Sequence, residues 1–307
     1  MNVQILNFII YQAMKSGTPL LLATLGEIYA ERAGILNLGI EGMMAFGAVV
    51  GFGVAYTTGN PWLGLLLGAL AGALISLIHA FFSISLRVNQ VVSGLALVIL
   101  GLGIHSVMGK PYVGQKLSNT ITGIISPSLA QIPVVGSIIV QDPIAFLGLA
   151  LSVVLWYVLF KTKYGIILRS VGENPAAADA LGINVYKVRY LATVFGGLMA
   201  GLAGAYLSII FRPSWTEGIT AGMGWIAIAL TIFSLWNPIH ALWASYFFGA
   251  ISASQYLLQG KGIPVDILGM MPYIFTLVIV VIASLAQLKK RIGAPEALAV
   301  PYVRGQS

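Results

Sequence analysis

Between Glu41 and Arg87 the chain runs for 45 residues without a charged side chain, and between Glu217 and Lys261 for another 43. Charge-free stretches of this length do not fit the surface of a water-soluble domain, of which about a quarter is normally charged. They fit a bilayer, where one helical span takes about 20 mostly apolar residues. Each long run then holds two spans. The first folds back at Thr57-Thr58-Gly59-Asn60-Pro61, the second at Asn237-Pro238. Shorter gaps of 22, 18, 22 and 22 residues open after Arg87, Asp142, Arg189 and Asp266. The spacing predicts eight spans, near 34–57, 61–84, 90–109, 143–160, 189–211, 220–236, 238–258 and 265–288. Only 8% of the residues are charged and 58% are hydrophobic, which excludes both an ordinary soluble enzyme and a disordered chain. With no cysteine, disulfides, zinc–thiolate sites and cysteine nucleophiles are excluded as well.

The first thirty residues read as a ninth element. An apolar stretch Ile5–Ile10 is interrupted by Lys15-Ser16-Gly17-Thr18-Pro19 and resumes with Glu27 inside it. It is expected either to span the membrane with a break or to lie at the interface before a short span. A signal peptide is not expected, because a basic start and a small-residue cleavage site are missing. The expected fold is therefore an all-α polytopic membrane protein of eight to nine transmembrane helices, forming a single domain over 1–307.

Orientation follows from lysine and arginine in the short loops. With the loop 161–188 inside, eleven basic residues fall on that face: Arg32, Arg87, Lys161, Lys163, Arg169, Lys187, Arg189, Lys289, Lys290, Arg291 and Arg304. Five remain outside: Lys15, Lys110, Lys116, Arg212 and Lys261. The N-terminus is thus expected outside and the C-terminus inside. The net charge of +7 is then a topology signal and calls for no nucleic acid. The tail 289–307 is expected to touch anionic membrane lipid. The segment 111–141, with Pro111, Pro127 and Pro133, is too polar to span and is expected outside.

Small residues recur at four-residue spacing: Gly47 and Gly51, Gly64, Gly68 and Gly72, then Gly197 and Gly201. In lipid they allow close approach of helix backbones, either within one bundle or at a seam between subunits. The two Asn-Pro steps also align, matching Gly72-Ala73 to Gly249-Ala250, with one step outside and the other inside. That is the pattern of an inverted-topology repeat.

The chain has no G-x-x-x-x-G-K-[ST] phosphate loop, no H-E-x-x-H and no evident G-x-S-x-G, so it carries no ATPase motif and no recognisable catalytic set. No cofactor or metal is expected. His79, His105 and His240 read as packed or interfacial. The loop 161–188 is more informative. Asn174 is a good N-cap, Pro175 suits the first helical position, alanines follow, and Gly182 supplies a stop. The pattern predicts a two-turn helix on the inner surface with a flat alanine face. Such a face suits a groove on another protein, or else belongs to a plain connector.

Gly172-Glu173-Asn174-Pro175-Ala176-Ala177-Ala178, continuing through Asp179 to Gly182-Ile183, resembles the coupling loop of permease subunits in ATP-binding-cassette (ABC) importers. The closest group is the branched-chain amino acid, ribose and nucleoside permeases. Glu31-Arg32-Ala33-Gly34-Ile35-Leu36-Asn37-Leu38-Gly39-Ile40-Glu41-Gly42 is similar to the signature of its sugar and nucleoside branch. The resemblance covers nearly the whole chain. It implies a type II importer-like permease in the cytoplasmic membrane. It further implies an ABC ATPase subunit, a second and different permease chain, an extracytoplasmic substrate-binding lipoprotein, and a neutral polar substrate such as a nucleoside or simple sugar. The coupling contacts would come from Gly172, Glu173, Asn174, Pro175, Ala177, Ala178, Asp179 and Gly182.

Few polar groups reach bundle depth, and those that do are candidates for the substrate path: Asn37, Glu41, Asn89, Gln90, Ser93 and Trp225. Each has a structural alternative. Glu41 pairs with Arg32 or Arg87 or caps a broken helix; Asn89, Gln90 and Ser93 cap and bridge helices; Trp225 anchors at the interface. Two other function classes remain. An ion-coupled secondary transporter needs more buried carboxylates than Glu27 and Glu41, and an intramembrane enzyme needs a nucleophile–base set. A cysteine introduced at Ser126 is expected to react with an impermeant thiol reagent from outside, and one at Ser307 is not. The reverse labelling would discard this threading.

Overall fold

Side-chain caps decide where most helices begin. Asn60 Oδ1 accepts from the amides of Trp62 (3.1 Å) and Leu63 (3.2 Å), Asn89 Oδ1 from Val91 and Val92, Asp142 Oδ1 from Ile144 and Ala145. Asn174, Asn184 and Asn237 do the same for Ala177, Lys187 and Ile239. Each satisfies amides that the helix itself leaves unpaired. Pro61, Pro143, Pro175 and Pro238 follow their caps at the position where a missing N–H does no harm.

The computed structural model describes residues 3–123, 132–259, 264–290 and 294–305. Pro127, Lys261, Arg291 and the labelling positions Ser126 and Ser307 lie outside the described residues. The helices are α1 (Val3–Arg32), α2 (Ile40–Thr58), α3 (Pro61–Ala80), α4 (Gln90–Gly109), a short α5 (Val135–Ile139), α6 (Pro143–Lys161), α7 (Lys163–Glu173), α8 (Pro175–Ala180), α9 (Val185–Tyr206), α10 (Met223–Phe233), α11 (Pro238–Leu258) and α12 (Val265–Lys290). Both α3 and α9 run on into π-helical turns, Phe81–Ser85 and Leu207–Phe211. Among the described residues there is no β-sheet, only an isolated bridge between Lys116 and Ser214. Five helices among the described residues are long and apolar enough to cross a membrane: α2, α3, α4, α6 and α9.

Three expected spans change. The first thirty residues form one continuous helix with no break at 15–19, running through Pro19. The span placed at 34–57 begins only at Ile40, since 34–39 is non-helical. The span placed at 220–236 shrinks to α10, whose 11 residues reach about 16 Å and cannot cross. Apolar composition does not reveal a loop that lies inside the bundle.

The bundle is organised by two crossed pairs. α3 packs on α9 and α2, and α1 packs on α11 and α9. Glycines permit the approach. A Cβ on Gly72 would stand 2.3 Å from the Gly197 carbonyl, and one on Gly201 would stand 2.4 Å from the Gly68 carbonyl. Gly47 meets Gly201, and Gly51 meets Gly64. These spacings therefore serve packing within one chain. α4 packs on α2, where a Cβ on Gly101 would lie 2.5 Å from the Gly42 Cα, and leaves Val92, Ile99 and Val107 exposed on its other face. Gly72→Val is expected to destabilise the bundle by about 1–3 kcal/mol or more, because backbone rather than a flexible side chain must move. A lower melting temperature in detergent checks it; an unchanged one would mean that α3 and α9 can part.

Candidate functional site

Two stretches of irregular backbone meet, the buried loop 33–39 before α2 and the segment 212–222 before α10, of which Ile219 and Thr220 are buried while Arg212, Thr216, Glu217 and Gly218 are exposed. Glu41, in the first turn of α2 and 3% exposed, bridges them. Its Oε1 accepts from the Thr220 hydroxyl (2.6 Å) and the Gly222 amide (3.0 Å), and its Oε2 from the Gly224 amide (2.7 Å). The two helix starts approach so closely that a Cβ on Gly224 would lie 2.5 Å from the Glu41 Cα. A carboxylate at a helix N-terminus is matched to the free amides and dipole there. Of the structural alternatives, Glu41 takes the helix-capping one. Arg32 donates instead to the carbonyls of Leu235 and Trp236 (3.3 Å each), and Arg87 to the Tyr186 hydroxyl.

The loop 33–39 is held from several sides. The Asn37 amide donates to Glu27 Oε1 (3.1 Å), and Asn37 Oδ1 accepts from the Gly39 amide, which starts α2. The Leu36 amide donates to Gln90 Oε1 (2.7 Å), and its carbonyl meets His79 Nε2 (3.2 Å). His79 Nδ1 lies 3.1 Å from the Ser93 hydroxyl. On the far side, the Trp236 indole donates to Glu31, which braces a corner where Leu235 and Trp236 both adopt left-handed backbone.

The structure thus gathers Asn37, Glu41, Gln90 and Ser93 around one buried loop. It does not bring Asn89 or Trp225 there: Asn89 is the exposed cap of α4, and Trp225 is 40% exposed on the first turn of α10. Sequence reasoning missed His79, Thr220, Glu31 and Trp236 as members. The four-residue spacing of Glu27 and Glu31 was the available signal, since it sets both on one helix face. A cleft of about 140 Å³ opens beside this centre between α1, α10, α11 and α12, lined in part by Ser16, Arg212, Ser252, Gln255 and Tyr273. The Tyr273 hydroxyl donates to the Ala221 carbonyl and so joins the cleft to the loop 212–222.

A second surface lies on the expected inner face. α8 forms as the sequence predicts, with Asn174 as cap and Gly182 left-handed at φ +84° after its end. Its exposed side carries Ala176, Ala177, Ala180 and Leu181, the last 81% exposed. Ala178 is turned the other way and is buried against Val171, Val185 and Tyr302. Of the two carboxylates, Asp179 pairs with Arg304 (3.1 Å) and Glu173 accepts from the Glu296 amide (3.4 Å). The segment 294–305 lies on the protein here.

Residues 9–286 match the family described as branched-chain amino acid transport system / permease component. Two similar proteins are the guanosine ABC transporter permease NupQ of Bacillus subtilis, 39% identical over 99% of both chains, and the nucleoside ABC transporter permease NupC of Lactococcus lactis, 37% identical over 99% of both. A protein of Haloferax volcanii described as a candidate glucose ABC transporter permease, TsgC13, is 37% identical over 95% of this chain and 96% of its own. Among solved structures, an inward-facing ABC transporter assigned to the metal-chelate type has a similar fold. Its TM-score is 0.51 at 17% identity, covering 89% of this chain and 84% of that one.

The Glu41 cap has a measurable consequence. In Glu41→Gln one carboxylate oxygen becomes an NH₂ facing an amide donor, and a buried donor without an acceptor costs about 1–3 kcal/mol. Glu41→Leu leaves all three donors unmatched. The melting temperature in detergent is expected to fall in the order native, Gln, Leu; equal values would show that the cap is dispensable.

Proposed function

The chain belongs to the branched-chain amino acid transport system permease family, and from that premise we propose that it is the membrane permease of an ATP-driven importer for a nucleoside or a related simple sugar. The observation that carries this reading is the near-full-length likeness to nucleoside permeases. A preformed, capped helix that presents Ala177, Ala180 and Leu181 to solvent supports it. ATP is hydrolysed by a partner subunit that receives α8 in a groove. The importer is completed by a second, different permease chain and an extracytoplasmic binding lipoprotein. The protein lies in the cell membrane with its N-terminus outside and its C-terminus and α8 in the cytoplasm.

The architecture is an inverted repeat of α1–α4 and α9–α12 in the manner of type II importers. Several features support it. Each half has an irregular stretch before its second helix and an Asn-Pro step before its third, and the third helix of each half packs on the first of the other. The two irregular stretches, joined by Glu41, then lie where the halves meet, a usual place for a transporter site. Asn37, Glu41, Gln90 and Ser93 shape the substrate path mainly by holding these stretches in place. Asn89 and Trp225 sit at its edges. A neutral polar substrate needs hydrogen-bonding groups there and no counter-charge.

Uptake of labelled guanosine, glucose and leucine by cells expressing the chain with its ATPase and binding protein tests the reading. Nucleoside or sugar uptake that stops when the ATPase is inactivated is expected. Leucine uptake alone would move the chain to the amino acid branch, and uptake driven by an ion gradient without the ATPase would make it a secondary transporter. Ala177→Trp, on the exposed side of α8, is expected to reduce uptake at least about tenfold while the permease still inserts, because shape outweighs exposed ion pairs worth about 0–1 kcal/mol each. Undiminished uptake would place coupling on another loop.

A further inference from the structure

The segment 295–304 touches each piece of the inner face in turn. Pro295 packs beside Gly172, and the Ala297 amide donates to the Gly172 carbonyl (2.9 Å) at the end of α7. The Ala299 amide donates to the Gly34 carbonyl (3.3 Å). Arg189, 2% exposed in the first turns of α9, donates through Nε to the Ala33 carbonyl (3.2 Å) and through Nη1 to the Val300 carbonyl (3.1 Å). One guanidinium therefore joins the tail to the loop 33–39. Gly34 is required at this crossing: its φ is +87°, and a Cβ would lie 2.9 Å from Arg189 Nη2 and 3.0 Å from the Ala297 carbonyl. Tyr302 then inserts among Val171, Ala178 and Val185, its ring 5.8 Å from that of Tyr186, and Arg304 reaches Asp179 on α8.

We propose that this segment is a coupling strap: it ties α8 to the loop 33–39, so that movement imposed on α8 reaches Asn37 and the Glu41 bridge. The proposal rests on the reading that α8 docks on an ATPase. A six-residue helix is marginal alone. Its one buried alanine sits against Tyr302, so α8 cannot shift without pressing on the tail. The tail in turn is bonded to Gly34 directly and to Ala33 through Arg189, three to four residues before Asn37. Chains of packed and hydrogen-bonded groups of this kind carry coupling between distant sites, and the proof lies in measured coupling rather than in proximity. Tyr302 is thus a positioning residue; it touches neither substrate nor nucleotide.

The test uses the complete importer in proteoliposomes. Tyr302→Ala is expected to leave membrane insertion and co-purification of the ATPase intact while lowering substrate imported per ATP hydrolysed by about threefold or more, within the range that positions along coupled networks reach. Tyr302→Phe is expected to restore the ratio, because the ring does the packing. An unchanged ratio in Tyr302→Ala overturns the proposal. So does loss of ATPase co-purification in that variant, since the tail would then be only a prop for the docking face. A second measurement needs no ATPase. Ala33→Cys, buried in the native fold of a chain with no other cysteine, is expected to be inert to a maleimide and to become reactive when Tyr302→Ala is added. Equal inertness in both backgrounds overturns the strap whether or not the partner reading holds. Failure of the native ATPase to associate would instead sink the importer reading, leaving the thiol result to judge the strap.

Discussion

Irregular backbone inside an apolar bundle must find every hydrogen bond within the protein, because lipid offers none. The loop 33–39 and the buried turn at Ile219 and Thr220 before α10 are such segments, and the arrangement around them follows from this requirement. Glu41 supplies acceptors for Thr220, Gly222 and Gly224; Glu27, Gln90 and His79 meet the peptide groups of Leu36 and Asn37. Buried polar side chains at this depth are expensive unless satisfied. Here their partners are mostly main-chain groups that would otherwise be stranded.

That solution depends on close helix packing. α3 and α9 approach so closely that a methyl group at their contact would strike the facing backbone. Gly72, Gly197 and Gly201 remove that methyl group where the backbones cross. The π-helical turns at the ends of α3 and α9 continue the two helices that form this contact. Such turns often mark functional positions.

The surroundings of α8 are organised by the same economy of contacts. α8 is short, and the protein stabilises it from behind with Tyr302 rather than by length. Its solvent side stays apolar. Because the tail also crosses Gly34, α8 and the interior loop belong to one connected unit.

Much of this was legible in the residues alone. Charge gaps located the membrane helices, and Asn-Pro and Asp-Pro pairs marked their starts, because span length and capping are local requirements that each segment meets by itself. The two-turn helix with Asn174 and Gly182 at its ends was legible for the same reason. Tertiary structure alone decided which donors Glu41 would accept from, since Arg32, Arg87 and a helix start up to 183 residues away were all candidates. It decided that 34–39 is not helix, because hydropathy averages over a window and cannot tell a buried loop from a buried turn of helix. It decided that Ala178 faces inward while Ala177 faces out, because the residue that covers Ala178 is Tyr302, more than a hundred positions away. Local chemistry set the elements. Which polar group answers which is a matter of long-range contact, and no single segment carries that information.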